Sequence, residues 1–206
     1  LEIRDSRLEQ QLEFIREIDR LKTGVRDTYL ADLSRKENSA EHSWQLALMA
    51  VVLREHTDEN VDLGRVVKMV LLHDVVEVDA GDTYAYADER EEQLEREREA
   101  AERLFGVLPE DQEETFRALW EEFEARETPE ARYAKALDRF QPLLHNYFTD
   151  GEAWEEHGLH ADQVLERNDP IGESSDELWE VIKKLVDHAV EKGWLKAGDG
   201  DRDSSS

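Results

Sequence analysis

Residues 62–78, DLGRVVKMVLLHDVVEV, are apolar at Val66, Val67, Met69, Val70, Leu71, Leu72, Val75 and Val76, yet they hold His73 and Asp74 mid-run. The length and periodicity predict a buried helix, although the β-branched residues also suit a strand. A carboxylate among valines is costly unless it is paired or bound to a cation. The rest of the chain must therefore pack around this helix and give Asp74 a partner.

Residues 39–56, SAEHSWQLALMAVVLREH, predict a second strongly apolar helix, with Ser39 as its cap and His42 in its first turns. Leu8, Leu12, Ile15, Ile18 and Leu21 give residues 5–22 an amphipathic helical pattern ending near Gly24. A heavily charged helix follows at 87–106, and Pro109 with its neighbouring acids starts another. Thr128 as cap and Pro129 at the first position open a further helix, which Pro142 should kink one turn beyond Asp138. A helix near 160–167 and an amphipathic one over 175–193 complete the pattern. No segment reads convincingly as a strand. The expectation is an all-α, bundle-like single domain over residues 1–196, with 151–196 as a C-terminal helical extension and 197–206 as a disordered tail.

The chain has no cysteine, which excludes disulfides, thiolate metal sites and a cysteine nucleophile. Any metal must be held by oxygen and imidazole. With 52 acidic residues against 26 basic ones, of which eight are lysine, the surface repels nucleic acid and anionic membranes. The acids are spread over every segment, as in proteins of salt-accumulating halophiles, where concentrated salt screens self-repulsion. The charged first residues and the lack of any apolar run long enough to cross a bilayer lead us to expect a cytoplasmic protein.

His42 and His73 lie on the two most apolar helices, which on packing can bring the His42 imidazole toward His73. Two imidazoles and a carboxylate form a partial set for a first-row divalent ion, and Asp138, in YAKALDRF, is the candidate fourth ligand. Taken singly, His42 and His73 also read as core histidines, and Asp138 as the partner of Arg132 or Arg139. Glu77 falls four residues after His73 and three after Asp74, hence on the same helical side, where it can take a proton from water or orient an imidazole. Asp82 follows the turn at Gly81 and can return over the site; Asp79 does so less naturally. His56, His145, His157 and His188 show no usable pattern.

Together, the segments ENSAEHSW, LLHDVVEVDAGD and KALDRF resemble the HD-domain metal-dependent phosphohydrolases, in the branch containing the 5'-deoxynucleotidases, over roughly residues 20–150. That resemblance implies one divalent ion (Mn, Co, Zn, Mg or Fe) on His42, His73, Asp74 and Asp138, with Glu77 positioning or deprotonating the attacking water. It implies Asp82 near the substrate sugar and leaving oxygen, and an arginine on the phosphate: Arg26 first, then Arg35 and Lys36. The stretch KTGVRDTYLADLSRKEN lacks the family's tryptophan, for which Tyr29 is a replacement candidate. The implied activity is hydrolysis of a small phosphate ester, a deoxynucleoside 5'-monophosphate, to nucleoside and phosphate. The alternatives are another organic phosphate or a nucleoside triphosphate, or a non-catalytic helical regulatory module with a structural metal. Members of the family commonly pair through helical surfaces, so a homodimer is also implied.

Overall fold

The computed structural model describes residues 6–81 and 90–198. Helix α1 (Ser6–Ile18) tightens into a 3-10 segment, Asp19–Thr23, and leads into strands β1 (Val25–Tyr29) and β2 (Lys36–Asn38). The chain continues through α2 (Ser39–Val52), α3 (Leu63–Leu72), α4 (Glu77–Ala80), α5 (Arg90–Phe105), α6 (Glu110–Ala125) and α7 (Pro129–Phe148). Helices α8 (Glu152–Glu156), α9 (Ala161–Asn168) and α10 (Asp176–Lys192) complete it. The all-α class is observed, and no helix among the described residues is long and apolar enough to cross a membrane.

Helix α7 organises the packing because it is buried along most of its length. Ala131, Tyr133, Ala134 and Leu137 join an apolar cluster with α2, α3, α5 and α6. Ala136, Phe140 and Leu143 join a second cluster with Trp154, Ile171 and the inner face of α10. Thr128 caps α7, its side chain accepting from the Ala131 amide, and Pro129 occupies the first turn. Pro142 lies inside this helix, which continues to Phe148. Lacking an N–H, Pro142 leaves the Asp138 carbonyl without its usual helical donor.

Several local expectations are corrected. A short antiparallel hairpin pairs Val25 with Asn38 and Tyr29 with Lys36, where no strand was expected. Its charged sequences, VRDTY and KEN, hide the alternation that usually marks a strand. The cap of α2 is Asn38 rather than Ser39: Asn38 accepts from the Glu41 amide, and Glu41 reaches back to the Asn38 amide. Ser39 is thereby freed to donate to Glu77 Oε2 at 2.7 Å. The run 62–78 is a helix, but it tightens to 3-10 geometry at His73–Val76, where all four side chains are buried. The apolar stripe of α1 is largely open, with Leu8, Leu12 and Ile15 exposed and Phe14 buried. Of the tail expected to be disordered, 199–206 lies outside the described residues, whereas the Ala197 carbonyl accepts from His160 Nδ1 at 2.9 Å.

Candidate active site

The 3-10 turn places His73 and Asp74 at the inner end of α3, facing α2 and α7. Hydrogen bonding fixes which imidazole nitrogen is available. His73 Nδ1 donates to the Val70 carbonyl at 2.9 Å, so its acceptor lone pair is on Nε2. On α2, His42 Nδ1 lies 3.0 Å from Gln141 Oε1. The Gln141 amide is oriented by Nε2, which donates to Glu37 Oε2 at 2.8 Å and Gln45 Oε1 at 3.0 Å. Its Oε1 must therefore accept, His42 Nδ1 must donate, and His42 Nε2 carries the lone pair.

Both Nε2 atoms point at one place. His42 Nε2 is 3.2 Å and His73 Nε2 3.5 Å from Asp138 Oδ1, and these ligand atoms all lie within 4.8 Å of one another. Asp74 sits beside this tightest group: its Oδ1 is 2.9 Å from His73 Nε2, while its Oδ2 accepts from Arg26 Nη1 at 2.7 Å. Asp138 pairs with Lys135 at 3.2 Å; Arg132 is engaged by Glu59 instead. His73 Nε2 is fully buried and, despite the 2.9 Å approach of Asp74 Oδ1, makes no well-directed hydrogen bond among the described residues. A divalent cation fits this arrangement: two imidazoles whose far nitrogens are already occupied, and two carboxylates of opposite charge to the ion.

The electrostatics agree with a cation site. Burial opposes charge on His73, but Asp74 and Asp138 outweigh it and push its pKa up to about 10. Burial likewise opposes charge on Asp74, yet His73, Arg26 and His42 hold its carboxyl well below the usual range. Burial raises Asp138 too, and Lys135 and both histidines overcome this and lower it strongly. A proton and a divalent ion compete for the same Nε2 lone pairs. Apparent metal affinity is therefore expected to rise with pH up to about 10, by about tenfold per unit for each proton displaced. The metal-stripped protein should behave oppositely. Because folded His73 holds its proton above the ordinary value of 6.5, its contribution to stability is full below that pH and is lost as pH rises through about 10. Calorimetric metal titrations and melts of the chelated protein across that window check both signs.

Arg26 on β1 is held among acids: its Nη1 is 2.7 Å from Asp74 and 3.6 Å from Glu77, and its Nε is 3.5 Å from buried Glu37. Glu77 shares the pocket and accepts from Ser39. Arg35 is turned outward onto Glu41 at 2.6 Å, and Lys36 pairs with Asp27 at 2.9 Å; neither lines the cavity. Tyr29, the candidate stacking residue, does not line it either and donates to Glu156 at 2.7 Å. Asp82 lies outside the described residues.

Glu37, Gln141 and Lys135 were missed from sequence. Gln141 ties the first histidine to Glu37, so Gln141→Leu is expected to lower divalent-ion affinity by about 10- to 100-fold, read by competitive chelator titration. Lys135 Nζ sits over the Phe123 ring at 4.3 Å, three residues before Asp138. A cavity of about 880 Å³ opens over the cluster. Its lining holds seven Lys or Arg and eight Asp or Glu, a far more even balance than the chain's 26 to 52.

Residues 18–179 match the sequence profile of the HD domain, a span that covers all four of the clustered residues. The chain belongs to the HD domain family. This HD domain is 35% identical over 136 residues to 5'-deoxynucleotidase HDDC2 of Bos taurus, covering 65% of this chain and 64% of the relative. It is 34% identical to the Homo sapiens protein of the same name, covering 65% of each. The matched region thus spans slightly less than two thirds of these relatives. A solved structure from Magnetospirillum magnetotacticum MS-1, described as a predicted metal-dependent phosphohydrolase, superposes with a TM-score of 0.88 at 51% identity. The superposition covers 93% of this chain and 100% of that chain.

Proposed function

We propose that this HD domain hydrolyses the phosphomonoester of 2'-deoxynucleoside 5'-monophosphates, giving nucleoside and phosphate, with one divalent ion held by His42, His73, Asp74 and Asp138. The observation that carries this reading is the convergence of two imidazole Nε2 atoms and two carboxylates in a cavity that also presents Arg26, Lys135 and Glu77. The names of the curated relatives support the choice of substrate.

When bound, the ion supplies Lewis acidity toward a phosphoryl oxygen and toward water. Glu77, oriented by the Ser39 hydroxyl, receives a proton from the attacking water. The water oxygen bonds to phosphorus, the bond to the sugar 5' oxygen breaks, and the proton taken up by Glu77 is returned, directly or through solvent, to that oxygen as the nucleoside leaves. Asp82 is assigned to the sugar and leaving oxygen. Arg26 and Lys135 offset negative charge on the non-bridging oxygens. Arg26 is presented for this by burial among Asp74, Glu77 and Glu37, which fix its guanidinium before substrate arrives.

The test is phosphate release from a panel of 2'-deoxy- and ribonucleoside 5'-monophosphates with added Mn²⁺ or Co²⁺. Metal-dependent release favouring the deoxy compounds supports the reading. No release from any monophosphate by folded, metal-loaded protein overturns it.

The remaining proposals concern the surroundings. A cytoplasmic, high-salt setting fits the net charge of −26, and added potassium chloride should raise the melting temperature. A second copy is the proposed partner of the outer side of α2, where Trp44, Leu48, Val51 and Val52 are exposed at helical spacing. Residues 43–53, SWQLALMAVVL, carry no charge, so two copies can meet there without opposing their carboxylates. Sedimentation equilibrium should give twice the chain mass, and Trp44→Asp should return it to one.

A further inference from the structure

The cavity extends well past the metal cluster, into an arm bounded by α7, β1 and the α8–α9 segment. Two observations there are not used by the hydrolytic machinery. Arg139 lines this arm, its Nε is buried without a hydrogen-bond partner, and it forms no ion pair among the described residues. In a chain with twice as many acids as bases, such a cation calls for an external partner. Asn146, seven residues further along α7, lines the arm too, and its Oδ1 is likewise buried without a partner.

The orientation of the Asn146 amide is settled by its other atom. Nδ2 donates to the Pro142 carbonyl at 2.9 Å, so the orphan is the acceptor oxygen. A phosphate would suit Arg139 but be repelled by Asn146 Oδ1. A ligand that satisfies both must present an acceptor to Arg139 and an N–H donor to Asn146. The walls are apolar: Leu143, Trp154 and Leu159 line the arm and are almost fully buried. Tyr29, donating to Glu156, and the Lys36 ammonium 4.0 Å from the same carboxylate tie α8 to the hairpin and hold this wall in place.

Distance selects the ligand further. Asn146 stands eight residues beyond the clustered Asp138, an advance of about 12 Å along the helix axis, with Arg139 between them. That matches the reach from the phosphorus of a nucleoside monophosphate to the far edge of its base. A nucleobase is flat, apolar on its faces, and carries acceptors beside N–H donors on its edge.

We infer that this arm is a nucleobase subsite, in which Arg139 donates to an acceptor on the sugar-proximal side of the base, Asn146 Oδ1 accepts from an N–H on its far edge, and Leu143, Trp154 and Leu159 form the apolar walls. The inference rests on the monophosphatase reading and adds recognition of the base to it. The HD motif residues hold the phosphate end; the base is held by residues from the far half of α7 and from α8.

The test compares kcat/KM for the four 2'-deoxynucleoside 5'-monophosphates with that for 2-deoxyribose 5-phosphate, which has the same phosphate and sugar but no base. Wild type should prefer the nucleotides. Asn146→Ala should shrink that preference about three- to tenfold, and Arg139→Met about tenfold or more. Asn146→Ser and Arg139→Lys, which keep a polar group, should shrink it less, guarding against a variant that merely unfolds. If the preference is unchanged in both primary variants, or if every variant slows the base-free substrate as much as the nucleotides, the subsite is wrong while the hydrolase stands. If wild type releases phosphate from no monophosphate, the hydrolase reading falls and takes the subsite with it.

Discussion

Asp138→Ala is expected to abolish tight divalent-ion binding and to lower metal-dependent phosphate release by on the order of a thousandfold or more, since the ion contributes several kcal/mol of transition-state stabilisation. The geometry explains why this residue should matter most. Asp138 Oδ1 is the shared neighbour of both imidazoles, at 3.2 Å from His42 and 3.5 Å from His73. Removing it leaves two buried rings and Lys135 without the carboxylate that gathers them. Metal content measured on the purified variant, alongside its rate, separates loss of the ion from loss of the fold.

Glu77→Gln should have the opposite signature. The amide oxygen can still accept from Ser39, and Glu77 is not among the clustered ligand atoms, so metal content should stay at the wild-type level. What is lost is a base for the attacking water, and kcat should fall by about 10²- to 10⁴-fold with little change in KM. A variant that keeps its metal and its rate would remove Glu77 from the chemistry and leave it as a partner of Arg26 and Ser39 alone.

The four clustered residues were legible because each is an anomaly of local composition. His42, His73, Asp74 and Asp138 are polar residues on helices whose other inward positions are apolar, and burying them demands a common partner. The helices themselves were legible for the same reason: periodicity and caps such as Thr128 and Pro129 are local signals. What escaped depends on contacts far apart in sequence. Gln141 and His145 look like ordinary helix polar residues until α7 is seen to be enclosed by two apolar clusters. His145 Nδ1 then proves to donate to the Tyr29 carbonyl, tying α7 to the hairpin. The hairpin escaped because Lys36 and Asp27 pair across it, a contact that a linear reading sees only as two charges. The 3-10 tightening at His73 escaped because helical periodicity alone cannot distinguish it from a continued α-helix.

The candidate phosphate-binding cations divide along the same line. Arg26 lies on β1 and stands beside the cluster, whereas Arg35 lies in the hairpin's connecting segment, just before β2, and is exposed on Glu41. Lys135 and Arg139 lie four residues apart on one face of α7, on either side of Asp138, and both line the cavity.

If the His42, His73, Asp74 and Asp138 cluster holds the ion on which hydrolysis depends, activity must follow occupancy of that site. This is tested by stripping the protein with chelator, titrating Mn²⁺ or Co²⁺ back, and following bound ion and phosphate release from a 2'-deoxynucleoside 5'-monophosphate together. Release is expected to return in proportion to ion bound, to saturate at one per chain, and to fail to return in Asp74→Ala. Full release from the stripped protein, or one tightly bound ion with no release, would contradict it.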